Sequence, residues 1–308
     1  MINILLVTFL AVISGYAVYS IFKYTRVISG IFFSLVYTPA SELLPSSPGE
    51  KVVILDSADK EIEALLLEKK GSKKIAIFCH DSGASKESWE KYAYFLPELG
   101  YHMLSVDFTQ GPEESGDNSL SQWPAQEEVE RLLTVMRWTK KAFSEETKII
   151  LFGVSKGANI CFAASFQDPR VVAVVADGLF SMKEIFRDYI RKWAPILVRP
   201  NFFGDHYPAW IVNTFSLSGF WYCQKKSGKK FIDVEKLLRR KHAPLLMIHG
   251  EADDYIPAAH QQLLEKINQD KRSGLRLVVP KAGHNESVSL SRQAYEKNIS
   301  DFLRKLLP

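Results

Sequence analysis

The sequence predicts an α/β fold in which helices cover both faces of a mostly parallel central sheet, preceded by a transmembrane helix. Three observations predict it. From Lys51 onward, short apolar runs rich in β-branched residues alternate with helical segments, which is the pattern of a parallel sheet. One run, at 149–152, leads through a Gly-Val-Ser-Lys-Gly turn into a segment with helical spacing. The first 22 residues carry no charged side chain.

The uncharged segment at 1–22 has about the 20 residues that a helix needs to cross a bilayer core. A cleavable signal peptide would have basic residues before the apolar segment and an A-x-A-like site after it, and neither is present. We therefore expect a retained anchor over 1–38, with Lys23 and Arg26 favouring the cytoplasmic face for the domain that follows. A second apolar run at 27–37 is too short to span a bilayer and is expected to lie at the membrane surface. The Pro/Ser-rich stretch at 39–50 is predicted to be a linker.

Composition narrows the class of protein. The chain has 308 residues, of which 46% are hydrophobic and 24% charged, enough for one large domain with an appendage. The net charge of +4 is small, and no basic run is interleaved with aromatics, so no nucleic-acid partner is expected. Cys79, Cys161 and Cys223 have no metal-ligand spacing and are predicted to be small buried hydrophobes.

The α/β domain is expected at 51–308. Its helix at 123–143 has Pro124 near the start and apolar residues at three-to-four spacing, as in Val129, Leu132 and Met136. The strands are predicted at 52–55, 61–67, 74–79, 101–108, 149–152, 171–176, 245–248 and 275–279, and the other helices at 87–96, 258–268 and 291–307.

The turn after the strand at 149–152 is predicted to be a nucleophile elbow. Gly153 and Gly157 let strand and helix approach closely, and the strained turn exposes the Ser155 hydroxyl beside the positive helix N-terminus. A serine hydroxyl is a poor nucleophile until a histidine takes its proton, and the histidine needs a carboxylate to orient it.

Polar residues with this chemistry follow other predicted strands, where parallel sheets place their ligand sites. His284 is the expected base and Asp253 the expected acid, and the order serine, acid, histidine is that of nucleophile-elbow enzymes. Asp254 and Glu251 remain alternatives for the acid because sequence spacing alone does not separate neighbouring carboxylates. The other histidines with a possible chemical role are expected to be structural: His102, His206, His242, His249 and His260.

An oxyanion hole is expected from two backbone N–H groups. One belongs to Lys156, the residue after the nucleophile, and the other to Ser82, in the loop His80-Asp81-Ser82-Gly83 after the strand at 74–79.

These motifs together resemble the alpha/beta-hydrolase superfamily, over about 52–306. The resemblance is carried by G-V-S-K-G, F-C-H-D-S-G, V-V-A-D-G-L-F, I-H-G-E-A-D-D-Y-I-P and A-G-H, and within the superfamily it points to membrane-anchored serine hydrolases of the lysophospholipase and protein-depalmitoylating branches. Two positions depart from the family pattern. His80-Asp81 stands where His-Gly is usual, and the Asp107 motif lacks the usual arginine.

The resemblance implies an alpha/beta-hydrolase fold with a helical lid in the long insertion at 178–243. This insertion is rich in aromatic residues, some of which are expected to line a wide apolar substrate pocket or to touch the bilayer: Phe180, Phe186, Trp193, Trp210, Phe220 and Trp221.

The expected function is hydrolysis of a carboxylic ester or thioester of a lipid-like or acylated substrate through an acyl-enzyme. No cofactor or metal is expected, because no metal-protease, phosphate-loop or dinucleotide motif is present. The alternatives are an acyl-CoA thioesterase, to whose elbow G-V-S-K-G-A-N-I-C is faintly similar, a peptidase on the same fold, and a non-catalytic membrane-tethered binding module.

Overall fold

A computed structural model describes residues 2–34, 47–107, 122–199, 201, 203–268 and 274–307. The chain forms two compact units. The smaller unit contains residues 1–36 and 183–229, and the larger one contains residues 37–182 and 230–308. The predicted linker at 39–50 lies mostly outside the described residues, as does the end of the predicted anchor at 35–38.

The larger unit is built on an eight-stranded sheet in the order β1-β2-β4-β3-β5-β6-β7-β8. Its strands are β1 Glu50–Leu55, β2 Glu61–Leu67, β3 Lys74–Cys79, β4 His102–Val106, β5 Lys148–Val154, β6 Val171–Asp177, β7 Leu245–Gly250 and β8 Gly274–Val279. Strand β2 pairs antiparallel with both of its neighbours, and all other pairs are parallel. The predicted fold class is confirmed.

Alternation along the central strands divides the core into two layers. In β3 and β5, Ile75, Ile77, Ile149 and Leu151 face one layer, whereas the alternate residues, such as Ile150, face the other. The first layer is covered by α3 Gln126–Ala142, α4 Lys156–Ala164, α7 Val234–Leu238 and α8 Ala258–Ile267. The second is covered by α2 Trp89–Tyr92, α9 Ser287–Leu290 and α10 Arg292–Leu306. The central strands are therefore buried on both faces.

Two predicted helices are shorter than expected. The segment at 87–96 is a 3-10 turn, Lys86–Ser88, followed by α2 and a series of turns, because the backbone bends to bury Trp89, Phe95 and Leu96 in one core layer. Helix α3 begins at Gln126 rather than 123 because Ala125 forms a β-bridge with Phe231.

Within its described residues, the smaller unit has three helices: α1 Ile2–Ser34, α5 Met182–Leu197 and α6 Ala209–Ser227. The predicted lid insertion is thus divided, since its central part joins the N-terminal helix and its ends, including α7, belong to the sheet domain.

The N-terminal helix has two parts with different environments. Between Ile4 and Lys23 its side chains are exposed apart from a half-exposed serine, and the helix from Ile4 to Phe32 is long and apolar enough to cross a membrane. Beyond that point Tyr24, Ile28 and Phe32 are buried. The expectation of a separate membrane-surface segment at 27–37 is therefore wrong for the described residues, because α1 continues through them and packs on the lid helices.

Candidate active site

Ser155 occupies a strained turn between β5 and α4. Its backbone has φ 49° and ψ −113°, a left-handed conformation that is unfavourable for a residue with a Cβ. The Ser155 amide donates to the carbonyl of Asp177 at 2.6 Å, which ties the turn to the end of β6.

The two glycines of the elbow are required by close backbone contacts. A Cβ on Gly153 would overlap the carbonyl of Gly157, and a Cβ on Gly157 would overlap the carbonyl of Cys79 at the end of β3. The elbow therefore places the N-terminus of α4 directly against the neighbouring strand, as the sequence motif predicts.

The structure brings the three predicted catalytic side chains together. Ser155 Oγ lies 3.0 Å from His284 Nε2, and His284 Nδ1 lies 2.7 Å from Asp253 Oδ2. In the tautomer that this geometry favours, the serine hydroxyl donates to Nε2 and the Nδ1–H group donates to the carboxylate. All three residues lie in loops after strands, and the Asp253 side chain is buried.

The loop after β7 distinguishes Asp253 from its neighbours. Asp253 Oδ1 accepts from the amides of Tyr255 at 2.9 Å and Ile256 at 2.7 Å, so one oxygen orients the loop while the other faces His284. Asp254 and Glu251 are exposed. The geometry therefore selects Asp253 among the three carboxylates that sequence spacing left open.

The base is surrounded by groups that limit its movement. The Tyr255 ring packs against the His284 imidazole with a centroid separation of 5.0 Å. Gly178 lies beside the backbone of Ser155 and the edge of the imidazole, and its φ of +77° disfavours any residue with a Cβ, although there is space for one. The imidazole therefore packs on an aromatic ring and has a glycine near its edge.

A second carboxylate, Asp177, lies close to the triad, and the sequence offered only its position at a strand end as a signal. Asp177 is fully buried, and burial raises its pKa to about 6. The hydroxyl of Tyr295 in α10 donates to Asp177 Oδ2 at 2.9 Å, and the charges of His284 and Asp253 also act on it. The backbone of Asp177 therefore holds the elbow while its carboxyl group is held by α10.

Cys79 pairs with Gly153, so the loop after β3 emerges beside the elbow. Ser82 and Lys156, the two predicted oxyanion donors, are both buried in this region, and their role remains a prediction. The Lys156 ammonium forms an ion pair with Glu128 in α3, a partner that sequence reasoning missed because it lies 28 positions earlier in the chain.

Asp81, which stands where the family usually has glycine, is linked to the base loop. Asn285 donates to Asp81 Oδ2 at 2.6 Å, and burial raises the pKa of Asp81. Asn285 directly follows His284 and has φ 61°. The departure from the family pattern therefore provides a connection between the loop after β3 and the loop that carries the base.

Asp107 is held without the arginine that the family usually supplies. Lys86 donates to Asp107 Oδ2 and to Glu63 Oε2, both at 2.8 Å, and His80 Nε2 lies 3.1 Å from Asp107 Oδ1. Burial acts to raise the pKa of Asp107, but the bonds from His80 and Lys86 outweigh it and lower that pKa. The rest of this motif, at 108–111, lies outside the described residues.

The five histidines predicted to be structural lie outside the hydrogen-bonded chain of Ser155, His284 and Asp253. His102 accepts from the Lys69 amide, His242 bonds to Ala243 and Asn268, and His249 and His260 are buried, whereas His206 is exposed. All three cysteines are free and buried, as composition predicts.

The predicted lid aromatics are distributed over both units. Phe180 is buried in the sheet domain, where its backbone carbonyl accepts a hydrogen bond from the Asn159 side chain. Phe186 is buried in the smaller unit. In that unit Trp193 and Phe220 are half-buried, and Trp210 and Trp221 are exposed. Their proposed place in a substrate pocket remains a prediction.

Relatives of this chain include proteins without an assigned role. The uncharacterized protein YqkD of Bacillus subtilis is 23% identical over 238 residues, which cover 74% of this chain and 70% of that protein. An uncharacterized protein of Mycobacterium tuberculosis is also 23% identical, over 239 residues that cover 76% of this chain and 70% of its own length.

Solved structures with this fold include esterases. An esterase of Pyrococcus furiosus has a TM-score of 0.62 at 19% identity, covering 89% of this chain and 97% of that one. A thermophilic esterase of Thermogutta terrifontis has a TM-score of 0.60 at 15% identity, covering 86% and 98%. At these identities the likeness shows the fold. The sequence pattern of the alpha/beta hydrolase family, in turn, matches residues 76–297, most of the sheet domain with its elbow, acid and base, and the chain therefore belongs to the alpha/beta hydrolase family.

Proposed function

We propose that this protein is a serine hydrolase that cleaves carboxylic ester or thioester bonds through an acyl-enzyme. The observation that carries the proposal is the continuous hydrogen-bonded chain from Ser155 Oγ through His284 to Asp253, with lengths of 3.0 and 2.7 Å. Residues 129 and 31 positions apart in sequence meet in this arrangement, which has the geometry that acyl transfer requires.

The reaction follows from these positions. His284 Nε2 takes the proton as Ser155 Oγ attacks the carbonyl carbon, and Asp253 stabilises the imidazolium that forms. His284 then gives the proton to the departing alcohol or thiol. A water molecule, activated by the same imidazole, attacks the acyl-enzyme and releases the acid, and the proton returns to Ser155.

The developing oxyanion is assigned to the backbone N–H groups of Lys156 and Ser82. The amide of Lys156 is the first of helix α4, so its dipole favours negative charge at that point. The adjacency of the loop after β3 to the elbow supports Ser82 as the second donor.

The proposed substrate is lipid-like or acylated, and the protein is proposed to be anchored by α1. The exposed apolar surface of α1 supports the anchor, and the aromatic lid supports an apolar acyl group. The esterases that share the fold act on esters, which favours this bond type over an amide.

Ser155→Ala tests the proposed nucleophile. A serine-directed fluorophosphonate should label the wild-type chain, and the variant should lose the labelling together with ester hydrolysis, by about 10⁴-fold or more. Ser165→Ala, in the same strand–helix region, serves as the matched control and should retain both. Labelling that persists in Ser155→Ala, or no labelling of either chain, would instead favour a non-catalytic binding module.

Substrate class is tested with esters of increasing acyl length. Trp193→Ala and Phe220→Ala should reduce kcat/KM for long acyl esters far more than for short ones, because an apolar wall contributes binding energy in proportion to the apolar surface it covers. Equal losses on short and long esters would remove the lid aromatics from the pocket.

A further inference from the structure

The packing of α1 on α6 fixes the relative height of their residues. Tyr24 lies against Phe215 at 6.4 Å, and the hydroxyls of Thr25 and Ser218 are 2.7 Å apart. Further along, Gly219 lies close to the Ser29 hydroxyl. Contacts therefore advance along both helices in the same direction, and the first turn of α6 points toward the exposed part of α1.

Helix α5 runs the opposite way along α1. Phe32 stacks on Phe186 near the start of α5 with centroids 4.0 Å apart. Beyond the other end of α5, the Arg199 amide donates to the Tyr24 hydroxyl at 3.2 Å. The end of α5 thus lies at the level of Tyr24, and the beginning of α6, six residues before Phe215, lies about 9 Å further toward the apolar part of α1 that nothing covers among the described residues.

Large apolar side chains are exposed at this edge of the smaller unit. They are Ile196 at the end of α5, Phe203 in the connection, and Trp210 in the first turn of α6. Phe203 packs near Tyr207, whose hydroxyl donates to the carbonyl of Ala194 in α5. On α1 the side chains from Ile4 to Lys23 are almost all exposed, whereas several from Tyr24 onward are buried in protein. The exposed apolar side chains of this edge therefore lie at the level where α1, as an anchor, would leave the hydrocarbon core.

Basic residues lie at the same level or one turn above it. Lys23 and Arg26 are exposed on α1, and Lys192 and Arg199 are exposed at the end of α5. The smaller unit has ten basic and three acidic residues, a net charge of +7, whereas the larger unit has 29 basic and 32 acidic residues, a net charge of −3. Lys192 lies one turn before Ile196 on α5, on the side away from the exposed part of α1, and Arg199 follows α5 at the level of Tyr24. Basic side chains therefore border the apolar ones, and their long stems let the charged ends reach the headgroup layer of an anionic bilayer.

We propose that the edge formed by Ile196, Phe203 and Trp210 inserts into the acyl-chain boundary of an anionic membrane, while Lys192 and Arg199 bind the lipid headgroups. The inference rests on the proposed membrane anchoring of α1. It adds a second contact, which holds the lid helices at the bilayer surface and restricts the tilt of α1.

Quenching of tryptophan fluorescence by brominated lipids tests the depth of this edge. The full chain is reconstituted into vesicles of phosphatidylcholine and phosphatidylglycerol that carry bromine at a shallow acyl position. Trp210→Phe should lose most of the lipid-dependent quenching. Trp221 is the matched control because it is similarly exposed, 59% against 68%, but lies about 16 Å further along α6. Trp221→Phe should leave the quenching unchanged.

Headgroup binding is tested with Lys192→Gln combined with Arg199→Gln. In the wild-type chain, phosphatidylglycerol should increase the quenching of Trp210 relative to pure phosphatidylcholine, and the double variant should lose that increase. Equal quenching in both lipids for the wild-type chain would overturn the anionic preference.

Extraction at alkaline pH separates this inference from the anchor. If the chain remains with the membrane but Trp210→Phe leaves quenching unchanged, the anchor stands and the lid contact is wrong. If the chain is extracted, the anchor itself is wrong. Equal quenching of Trp210 and Trp221 would also overturn the proposed orientation of α6.

Discussion

Individual residues at the elbow are under opposing constraints. Ser155 adopts an unfavourable φ of 49°, and the bond from its amide to Asp177 and the close packing at Gly157 compensate for this cost. The strained turn is what directs the hydroxyl toward His284. Function at this position therefore depends on neighbours that perform no chemistry.

The choice of acid is tested by comparing adjacent carboxylates. Asp253→Asn should lower kcat by about 10³- to 10⁴-fold, because an amide favours the wrong imidazole tautomer and does not stabilise the imidazolium. Asp254→Asn removes an exposed carboxylate one position away and should leave kcat within about twofold of wild type. Steady-state hydrolysis of a short ester measures both, and a large loss in the Asp254 variant would reassign the acid.

Asp177 should make stability depend on pH. Its pKa is raised from 3.8 to about 6, so the folded chain binds more protons than the unfolded chain between these values. Stability should therefore be highest near pH 4 as far as this group is concerned and fall by about 3 kcal/mol as pH rises through 6. Asp177→Asn, which still accepts from Tyr295, should remove this fall.

Urea unfolding of the detergent-solubilised chain at pH 4 to 8 measures the difference between wild type and Asp177→Asn. Asp254→Asn, an exposed carboxylate, is the control and should follow the wild-type curve. Parallel curves for wild type and Asp177→Asn would show that burial does not perturb this carboxyl group.

At the scale of elements, Lys86 connects the adjacent strands β2 and β4 to the 3-10 turn that contains it. This ammonium binds Glu63 of β2 and Asp107 after β4, and its own backbone carbonyl accepts from Ser105 of β4. Burial acts to lower the pKa of Lys86, but the bonds to Asp107 and Glu63 outweigh it and raise that pKa. One side chain thus joins two strands and a turn.

Lys86→Met should destabilise the sheet domain by about 3 kcal/mol, since it leaves the Asp107 carboxylate largely buried with a single remaining partner in His80. Lys140→Met is the matched control. It breaks an ion pair between exposed groups and should cost less than about 1 kcal/mol. Urea unfolding at neutral pH measures both, and equal costs would mean that the Lys86 bonds contribute no more than a surface pair.

At the scale of the whole molecule, charge is divided between the two units. The smaller unit has a net charge of +7 and the larger one −3, although the chain as a whole has only +4. The positive-inside rule counts basic residues within about 20 positions of the end of a span, so Lys23 and Arg26 alone carry the predicted cytoplasmic orientation. The eight basic residues at 183–229 are distant in sequence and contribute charge to the surface of the smaller unit.

This topology is tested with reporters at the C-terminus. In a bacterial host, a green-fluorescent-protein fusion should fluoresce and an alkaline-phosphatase fusion should be inactive, because the sheet domain with the C-terminus would stay in the cytoplasm. Replacing Lys23 and Arg26 by glutamine should shift the ratio of the two signals toward phosphatase. An active phosphatase fusion of the wild-type chain would place the sheet domain on the other side.

The sequence alone determined the sheet domain and the local chemistry of its loops. Strand periods, the G-x-S-x-G turn and the order of Ser155, Asp253 and His284 depend on short-range patterns, which one sequence displays directly. Sequence also identified the apolar N-terminal helix. It left three carboxylates in the loop after β7 as candidates for the acid, because Glu251, Asp253 and Asp254 lie within four consecutive residues.

Tertiary structure decided what depends on distant residues. It selected Asp253 through two backbone amides, brought Asp177 and Tyr295 beside the triad, and paired Lys156 with Glu128. It also packed the second part of α1 on the lid helices, contrary to the expected surface segment. These contacts join positions far apart in the chain, and their energies come from burial and charge pairing, which no local pattern encodes.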